Sequence, residues 1–192
     1  SMRKRAALAL SEFFVVSLQS AEFTWRSHAF ASWWDMLVRN AFGNFRQLLE
    51  DVTLHPAMGY FLNTKGNRKE DNRGRVPDEN YSREVMQLFT IGLYELNADG
   101  TRKLTDGQPT ETYGEDDVRG LARVFTGWDF IARSNPDWPR TPMQHIASRH
   151  SPEEKTFLGV TIPANTDGPA SLRMALDTLF NHPNTAPFIS QQ

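Results

Sequence analysis

The stretch PDENYSREVMQLFTIG, residues 77–92, combines a helical pattern with clear boundaries at both ends. Asp78 can accept hydrogen bonds from the free N–H groups of a first helical turn, and Gly92 is typical of a helix end. Four apolar side chains between them recur at i, i+4, i+7 and i+8, and so share one face of an α-helix: Tyr81, Val85, Leu88 and Phe89. The spacing therefore predicts an amphipathic helix over 80–91, with this face buried.

The opposite face of this helix is polar and carries Asn80, with Arg83 and Glu84 about one turn later. It is either a functional surface or a solvated one. As an enzyme, the protein would use Glu84 as acid or base, positioned by Arg83 and Asn80, with His55 or Asp117 opposite. A carboxylate beside a guanidinium is held ionised, which suits a structural ion pair at least as well as catalysis.

Glu84 also lies close to the predicted apolar boundary, because Leu88 follows it at i+4. A carboxylate drawn inward needs a cation or several hydrogen-bond donors. We therefore expect Glu84 to be partly buried and bonded to Arg119 or Arg123 of the neighbouring predicted helix.

Further apolar stripes predict more helices along the chain. The first residues place Arg3, Lys4 and Arg5 before an apolar run, which resembles a signal peptide, but Glu12 interrupts the run and favours a core helix. Asn44 with Gln47, and Thr112 with Glu115, have the spacing of capping boxes. The remaining predicted helices cover 24–41, 45–53, 57–62, 116–127 and about 170–181.

Residues 94–113 contain the turn signals Asn97–Gly100 and Asp106–Gly107 between short polar segments, which predicts a small β-meander. The same residues also match an EF-hand loop poorly, since its first position is Glu95 and its twelfth is Asp106. A plain hairpin is favoured. The fold class is therefore mostly α, a single helical domain over 1–192 with one small β insertion.

Two irregular stretches separate the helices. Residues 65–76, KGNRKEDNRGRV, carry five basic and two acidic side chains, which indicates a solvated loop or, alternatively, an anion-binding one. Residues 129–156 contain four prolines together with His145 and His150. The spacing of those histidines differs from the i, i+4 pattern of two metal ligands on one helical face, so we predict no metal site there.

The chain also repeats itself, because RQLLEDVTLHPAMGYFL (46–62) aligns with RMALDTLFNHPNTAPFI (173–189). Both segments predict a helix, a His-Pro break and a second helix. His55 and His182 are then either hinge residues that bond nearby backbone groups, or residues that face each other across a site.

Composition excludes several classes of function. The 192 residues have a net charge of −2, which gives no general electrostatic attraction to nucleic acid. The absence of Cys excludes disulfides, thiolate metal sites and a Cys nucleophile. No run of apolar residues is long enough to span a membrane. No nucleophile elbow or phosphate-binding loop is present, and no cofactor is expected.

The spaced motifs together resemble domain-of-unknown-function family 1800. The Asn-Glu-Asn of that family is here Asp78-Glu79-Asn80, and the His-Asp pair common in it is here His150-Ser151. The segments that carry the resemblance are RKRAALALSEFFVVS (3–17), FGNFRQLLEDVTLHPAMGYFLN (42–63), PDENYSREVMQLFTIGLYELNADG (77–100), DDVRGLARVFTGW (116–128), HSPEEKTFLG (150–159) and HPNTAPFIS (182–190).

The resemblance implies a bacterial, mostly helical protein that is usually longer, often exported or in the cell envelope, and often encoded beside a sulfatase-like family. It implies no established chemistry. We accordingly expect this chain to be an interior piece of a larger domain, with a sulfatase-like protein as its candidate partner.

Two hypotheses about function follow. The first is a non-catalytic helical module that binds a protein partner or a cell-envelope polymer. The second is a hydrolase-type enzyme that uses Glu84, Arg83 and His55. Candidate binding residues under either hypothesis are Asn80, Asp117, Arg123, Trp128 and His150. A broad exposed apolar surface favours the module, and a cleft lined by Asn80, Arg83, Glu84 and His55 favours the enzyme.

Overall fold

The computed structural model describes residues 1–17, 19 and 25–192, and this part of the chain is mostly helical, as predicted. Its helices are α1 (Met2–Phe13), α2 (Arg26–Asn40), α3 (Phe45–Leu54), α4 (Pro56–Phe61), α5 (Asn80–Gln87), α6 (Glu115–Val124), α7 (Gly168–Asn181) and α8 (Thr185–Ser190). Its strands form three antiparallel pairs: β1 (Leu104–Thr105) with β2 (Gln108–Pro109), β3 (Trp128–Asp129) with β4 (Gln144–His145), and β5 (Lys155–Phe157) with β6 (Val160–Ile162).

The N-terminal segment forms α1, as the core-helix interpretation predicted. The helix packs against α2, and Ala7 and the following Phe14 are completely buried. The rings of Phe13 and Phe14 both contact Phe89, which ties this end of the chain to the central segment. The predictions for residues 18 and 20–24 lie outside the described residues. None of the described helices is long and apolar enough to cross a membrane.

The central helix α5 is shorter than predicted. It ends at Gln87, and the backbone N–H groups of Ile91 and Gly92 both donate to the carbonyl of Met86. Gly92 has a φ of +70°, a left-handed conformation in which glycine avoids the steric penalty of a side chain. The early end of the helix affects Leu88. Leu88 was predicted to be buried, but 46% of its surface is exposed, whereas Tyr81, Val85 and Phe89 are in the core.

Of the two predicted capping boxes, one forms only its Asn44 half, because the Gln47 side chain donates to Asp51 instead, and the other is wrong. The side chain of Asn44 accepts a hydrogen bond from the backbone N–H of Arg46 at 2.8 Å, which caps α3. The Thr112 hydroxyl instead donates to the carbonyl of Gly92, so it does not cap α6. The N-cap of α6 is Gly114, whose N–H donates to Asp117 Oδ2 at 2.8 Å. The correct capping pair therefore lies two residues later than predicted.

The predicted β insertion is confirmed as a small meander with two turns. An isolated bridge joins Leu96 to Arg102 across the first turn, and β1 pairs with β2 across the second, at Asp106–Gly107. A further bridge joins Tyr94 to Glu111. Asp99 Oδ1 accepts from both the N–H and the hydroxyl of Thr101. Asp99 is thus used within its own turn, as expected for a plain hairpin.

The stretch 129–156 is not a continuous loop. Trp128 pairs with His145 across β3 and β4, and short 3₁₀ turns occupy Trp138–Arg140 and Ala147–Arg149. The end of the stretch enters the β5–β6 hairpin, which packs closely against α6. The sequence did not predict these strands, because each is only two or three residues long and four prolines lie among them.

The two His-Pro segments adopt the same local geometry, as predicted. His55 ends α3 with ψ of 134° and His182 ends α7 with ψ of 135°. In each, Nδ1 accepts from the N–H two residues later, at 3.1 Å. The helices pack against each other, and Arg46 Nε lies 2.7 Å from Asp177 Oδ1. The histidines themselves act as hinge residues, which favours that interpretation over a shared site.

Candidate functional site

A groove of about 890 Å³ lies beside α5 and is the candidate functional site. Its walls come from α1, α4, the end of α5, the hairpin region 93–102 and α8 with the residues after it. These segments are far apart in sequence. They meet because the apolar faces of α1, α5 and the His-Pro repeat share one core.

Large apolar side chains line the groove and remain exposed. Their exposed fractions are 52% for Val15, 36% for Phe61, 46% for Leu88 and 45% for Leu93. A single exposed apolar residue is ordinary, but several around one concavity are typical of an interaction surface. No sequence signal identified Phe61 or Leu93, since periodicity does not reveal whether a neighbouring element covers a face.

Charged groups are few in this groove. Glu12 and Glu84 contribute carboxylates, and the guanidinium of Arg102 lies 4.6 Å from the centroid of the Tyr94 ring. Gln87 Oε1 accepts a hydrogen bond from the Tyr113 hydroxyl at 3.3 Å. The site is therefore an apolar groove with a small excess of negative charge.

The predicted ion pair between Glu84 and α6 is wrong. Arg123 pairs with Glu70 at 2.7 Å, and Arg119 pairs with Asp116 at 3.2 Å. Glu84 is half-buried, and no described cation lies within ion-pair distance of it. The helices are joined instead by Arg83, whose Nη1 lies 2.9 Å from Glu115 Oε1. This pairing holds the pKa of the Glu115 carboxyl below its usual range.

The residues proposed for catalysis are not brought together by the contacts of the described chain. His55 is buried, its Nε2 is 2.8 Å from the Ser32 hydroxyl, and its ring packs edge-on against Trp33. Neither His55 nor Arg83 lines the groove that contains Glu84. Burial lowers the pKa of His55 to about 4. The hydrogen bonds of His55 and its position between α3 and α4 give it a structural role.

Asn80 and Asp117 are both used in local structure. The N–H of Asn80 donates to Asp78 Oδ1 at 2.8 Å where α5 begins. Asp117 Oδ1 accepts from the N–H of Leu158 at 2.6 Å, in addition to the cap at Gly114. The Asp117 carboxylate thus ties α6 to the β5–β6 turn.

Arg123 belongs to a polar network with Glu70 and Ser151. The Ser151 hydroxyl donates to Glu70 Oε2 at 2.9 Å, while Arg123 holds Oε1. Burial opposes ionisation of Glu70, but the hydrogen bonds from its own backbone, Arg123 and Ser151 lower the pKa of its carboxyl overall. The position where the resemblance led us to expect Asp is thus a buried Ser that bonds a carboxylate from another segment.

Trp128 and His150 are buried and lie in one aromatic cluster with the half-buried His145. The ring centroids are 5.1 Å apart for Trp128 and His145, and 5.2 Å apart for His145 and His150. His150 Nδ1 lies 2.9 Å from the carbonyl of Thr126. Burial lowers the pKa of both histidines. Among the described residues, no group of three or more His, Asp or Glu side chains is arranged to hold a metal.

The predicted site residues thus divide among separate places. Glu84 lies in the groove. Arg83 lies where α5 contacts α6, and Asn80 lies at the start of α5. His55 lies between α3 and α4. Asp117, Arg123, Trp128 and His150 lie around α6 and the short strands that follow. Their roles in catalysis or binding stay predictions.

The comparisons with known proteins give one family. No curated protein and no solved structure matches the chain. A family model described as a protein of unknown function, DUF1800, matches residues 1–192. The match covers every motif that carries the resemblance, so the chain belongs to the DUF1800 family of proteins of unknown function.

Proposed function

We propose that this chain is a non-catalytic helical module whose groove binds an apolar helical segment of a protein partner. The observation that carries the proposal is the grouping of four exposed apolar side chains around one groove of about 890 Å³: Val15, Phe61, Leu88 and Leu93. An amphipathic helix can bury its apolar face in such a groove. The groove carboxylates Glu12 and Glu84 favour a partner helix with basic residues beside its apolar face.

The composition of the lining distinguishes this partner from the alternatives. A polymer rich in sugar hydroxyls needs many hydrogen-bonding side chains, whereas this groove offers mostly apolar ones. A hydrolase needs an acid or base held against a second group in a substrate-sized cleft. Here Glu84 faces the groove without His55, Arg83 or Asn80 among the lining residues.

The proposal is tested with a fluorescently labelled model peptide about four helical turns long. Leucines at i, i+3, i+4 and i+7 form its apolar face, and lysines occupy the remaining positions. Binding is measured by fluorescence anisotropy. A Leu88→Asp variant should weaken binding about tenfold or more, because it places a carboxylate in the apolar lining of the groove at a cost of at least about 1.4 kcal/mol.

The matched control is Leu104→Asp, because Leu104 is 61% exposed and lies on the hairpin outside the groove lining. It should bind the peptide like the original protein. A scrambled peptide of the same composition, without an apolar face, should bind poorly to all three proteins. Equal weakening by both variants, or equal binding of both peptides, would contradict groove recognition. Circular dichroism checks that each variant is folded.

A further inference from the structure

The basic stretch 65–76 is held in place by four backbone hydrogen bonds to three other parts of the chain. The N–H of Lys65 donates to the carbonyl of Gly59 at 2.9 Å, and that of Gly66 to Trp128 at 2.8 Å. Lys69 donates to the carbonyl of Arg149, and Gly127 donates to the carbonyl of Asn67, both at 2.9 Å. The segment has no regular secondary structure, but its path is determined by these contacts.

Two side chains complete this framework. The amide of Asn67, which is 8% exposed, accepts from the N–H of Asp78 at 2.9 Å and donates to its carbonyl at 3.3 Å. Asp71 Oδ1 accepts from the N–H groups of Arg73 and Arg75, at 2.9 and 3.0 Å. The same carboxylate pairs with the Arg75 guanidinium at 2.9 Å. Both ends of the stretch are therefore pinned, and the cations project from a fixed backbone.

A concavity of about 300 Å³, which we call the basic pocket, lies within this framework. Its lining includes the cations Lys65, Arg68 and Arg75 and one carboxylate, Asp78. The Asp78 carboxylate is occupied in part by the N–H of Asn80 at 2.8 Å. Among the described residues, neither Lys65 nor Arg68 has an ion-pair partner, although the Lys65 ammonium lies 5.6 Å from the Phe130 ring centroid.

We propose that the basic pocket binds a tetrahedral oxyanion, the phosphate or sulfate group of a small ligand. The excess positive charge of the lining gives the chemistry that such a group needs. A guanidinium presents a planar fork of donors that matches phosphate or sulfate oxygens, and an ammonium adds a second positive charge. Because the backbone is already fixed, binding costs little ordering of the loop. This surface is separate from the apolar groove and takes a different class of ligand.

The test titrates inorganic phosphate into the protein by isothermal titration calorimetry, at constant ionic strength maintained with sodium chloride. An Arg68→Gln variant should bind phosphate about tenfold more weakly, as expected for the loss of one charge-assisted hydrogen bond. The control is Arg73→Gln, which removes the same charge from the same stretch at an exposed residue that does not line the pocket. It should change the affinity less than about twofold, since charge outside contact distance is screened.

A second variant and three further ligands make the result specific. Lys65→Gln should also weaken phosphate binding, and acetate at the same concentration should bind far less well than phosphate. Inorganic sulfate and glycerol phosphate distinguish a free ion from a group carried on a larger molecule, and binding of either supports the proposal. No heat of binding with phosphate and sulfate, equal effects of Arg68→Gln and Arg73→Gln, or equal binding of acetate would overturn it. Failure here leaves the groove proposal intact, because the peptide assay does not involve these residues.

Discussion

At the scale of a single residue, His55 connects sequence, hinge and pH dependence. Its Nδ1 accepts from the N–H of Ala57, so Nε2 carries the proton and donates to the Ser32 hydroxyl. The ring is buried and contacts Trp33. Desolvation disfavours the charged imidazolium, and the nearby Arg39 charge adds to this, which lowers the pKa to about 4.

This lowered pKa predicts an acid-sensitive hinge. In the unfolded chain a histidine takes up a proton near pH 6.5, whereas folded His55 stays neutral until about pH 4. The unfolded state therefore binds more protons, and the free energy of unfolding falls as the pH drops through this window. The contribution is about 3 kcal/mol at most. Urea denaturation between pH 7 and pH 4.5 should show that the difference between the original protein and His55→Asn narrows as the pH falls.

Asn is the appropriate replacement because it can still accept a hydrogen bond at the start of a helix. The other buried histidines are present in both proteins, so their effects cancel in the difference. His28→Asn is the control for a histidine replacement at an exposed position. If the difference in the free energy of unfolding between the original protein and His55→Asn stays constant with pH, the lowered pKa of His55 is contradicted.

At the scale of elements, α6 packs closely against β5. Gly120 lies on the face of α6 that meets the strand, and a Cβ there would lie 1.8 Å from the carbonyl oxygen of Thr156. That oxygen belongs to the backbone and cannot move aside as a flexible side chain can. The absence of a side chain at Gly120 is therefore what allows the helix to pack on the strand.

Gly120→Ala should lower the free energy of unfolding by about 3 kcal/mol, because the overlap forces α6 away from β5. The gain in helix propensity, about 1 kcal/mol, is too small to offset this. Gly43→Ala is the control, since its added Cβ would make ordinary contacts of 3.4 Å or more with Asn40. It should change stability by less than about 0.5 kcal/mol. Chemical denaturation of both variants measures the effect, and equal stabilities would refute the packing argument.

At the scale of the whole molecule, the C-terminal repeat is attached to the central segment by Asn184. Its buried side chain accepts from the N–H of Leu96 at 2.6 Å and donates to the carbonyls of Ile91 and Tyr94, at 2.6 and 2.9 Å. The ring of Phe188 packs against Gly92 in the same region. These contacts hold one wall of the apolar groove against α8.

Asn184→Ala should therefore lower stability by about 3 kcal/mol, since it leaves three backbone groups without their partner. It should also weaken binding of the model peptide, because the wall formed by 93–96 loses its support. Asn181→Ala is the matched control, as Asn181 is exposed and makes one hydrogen bond, to the carbonyl of Asp177. Its cost should stay below about 1 kcal/mol. Denaturation and anisotropy measure the two effects, and a stable Asn184→Ala variant with unchanged binding would contradict this role.

The sequence by itself determined those features that arise within a few neighbouring residues. Apolar spacing located the helices, Asn44 identified the start of α3, and the His-Pro pairs identified two equivalent hinges. Local signals suffice there because a cap, a helical face and a proline break act over one or two turns. The predicted cap of α6 was wrong because the Thr112 hydroxyl donates to the carbonyl of Gly92, which is distant in sequence.

Only the tertiary structure decided which surfaces remain uncovered and which charges meet. Periodicity shows that Leu88 shares a face with Val85, but an early helix end and the position of its neighbours leave Leu88 in an open groove. In the same way, the charges of Arg83, Arg119 and Arg123 were visible in the sequence, but their partners were not. The burial of a side chain and its choice of ion-pair partner depend on contacts between segments that are distant in sequence, and a local sequence pattern does not contain that information.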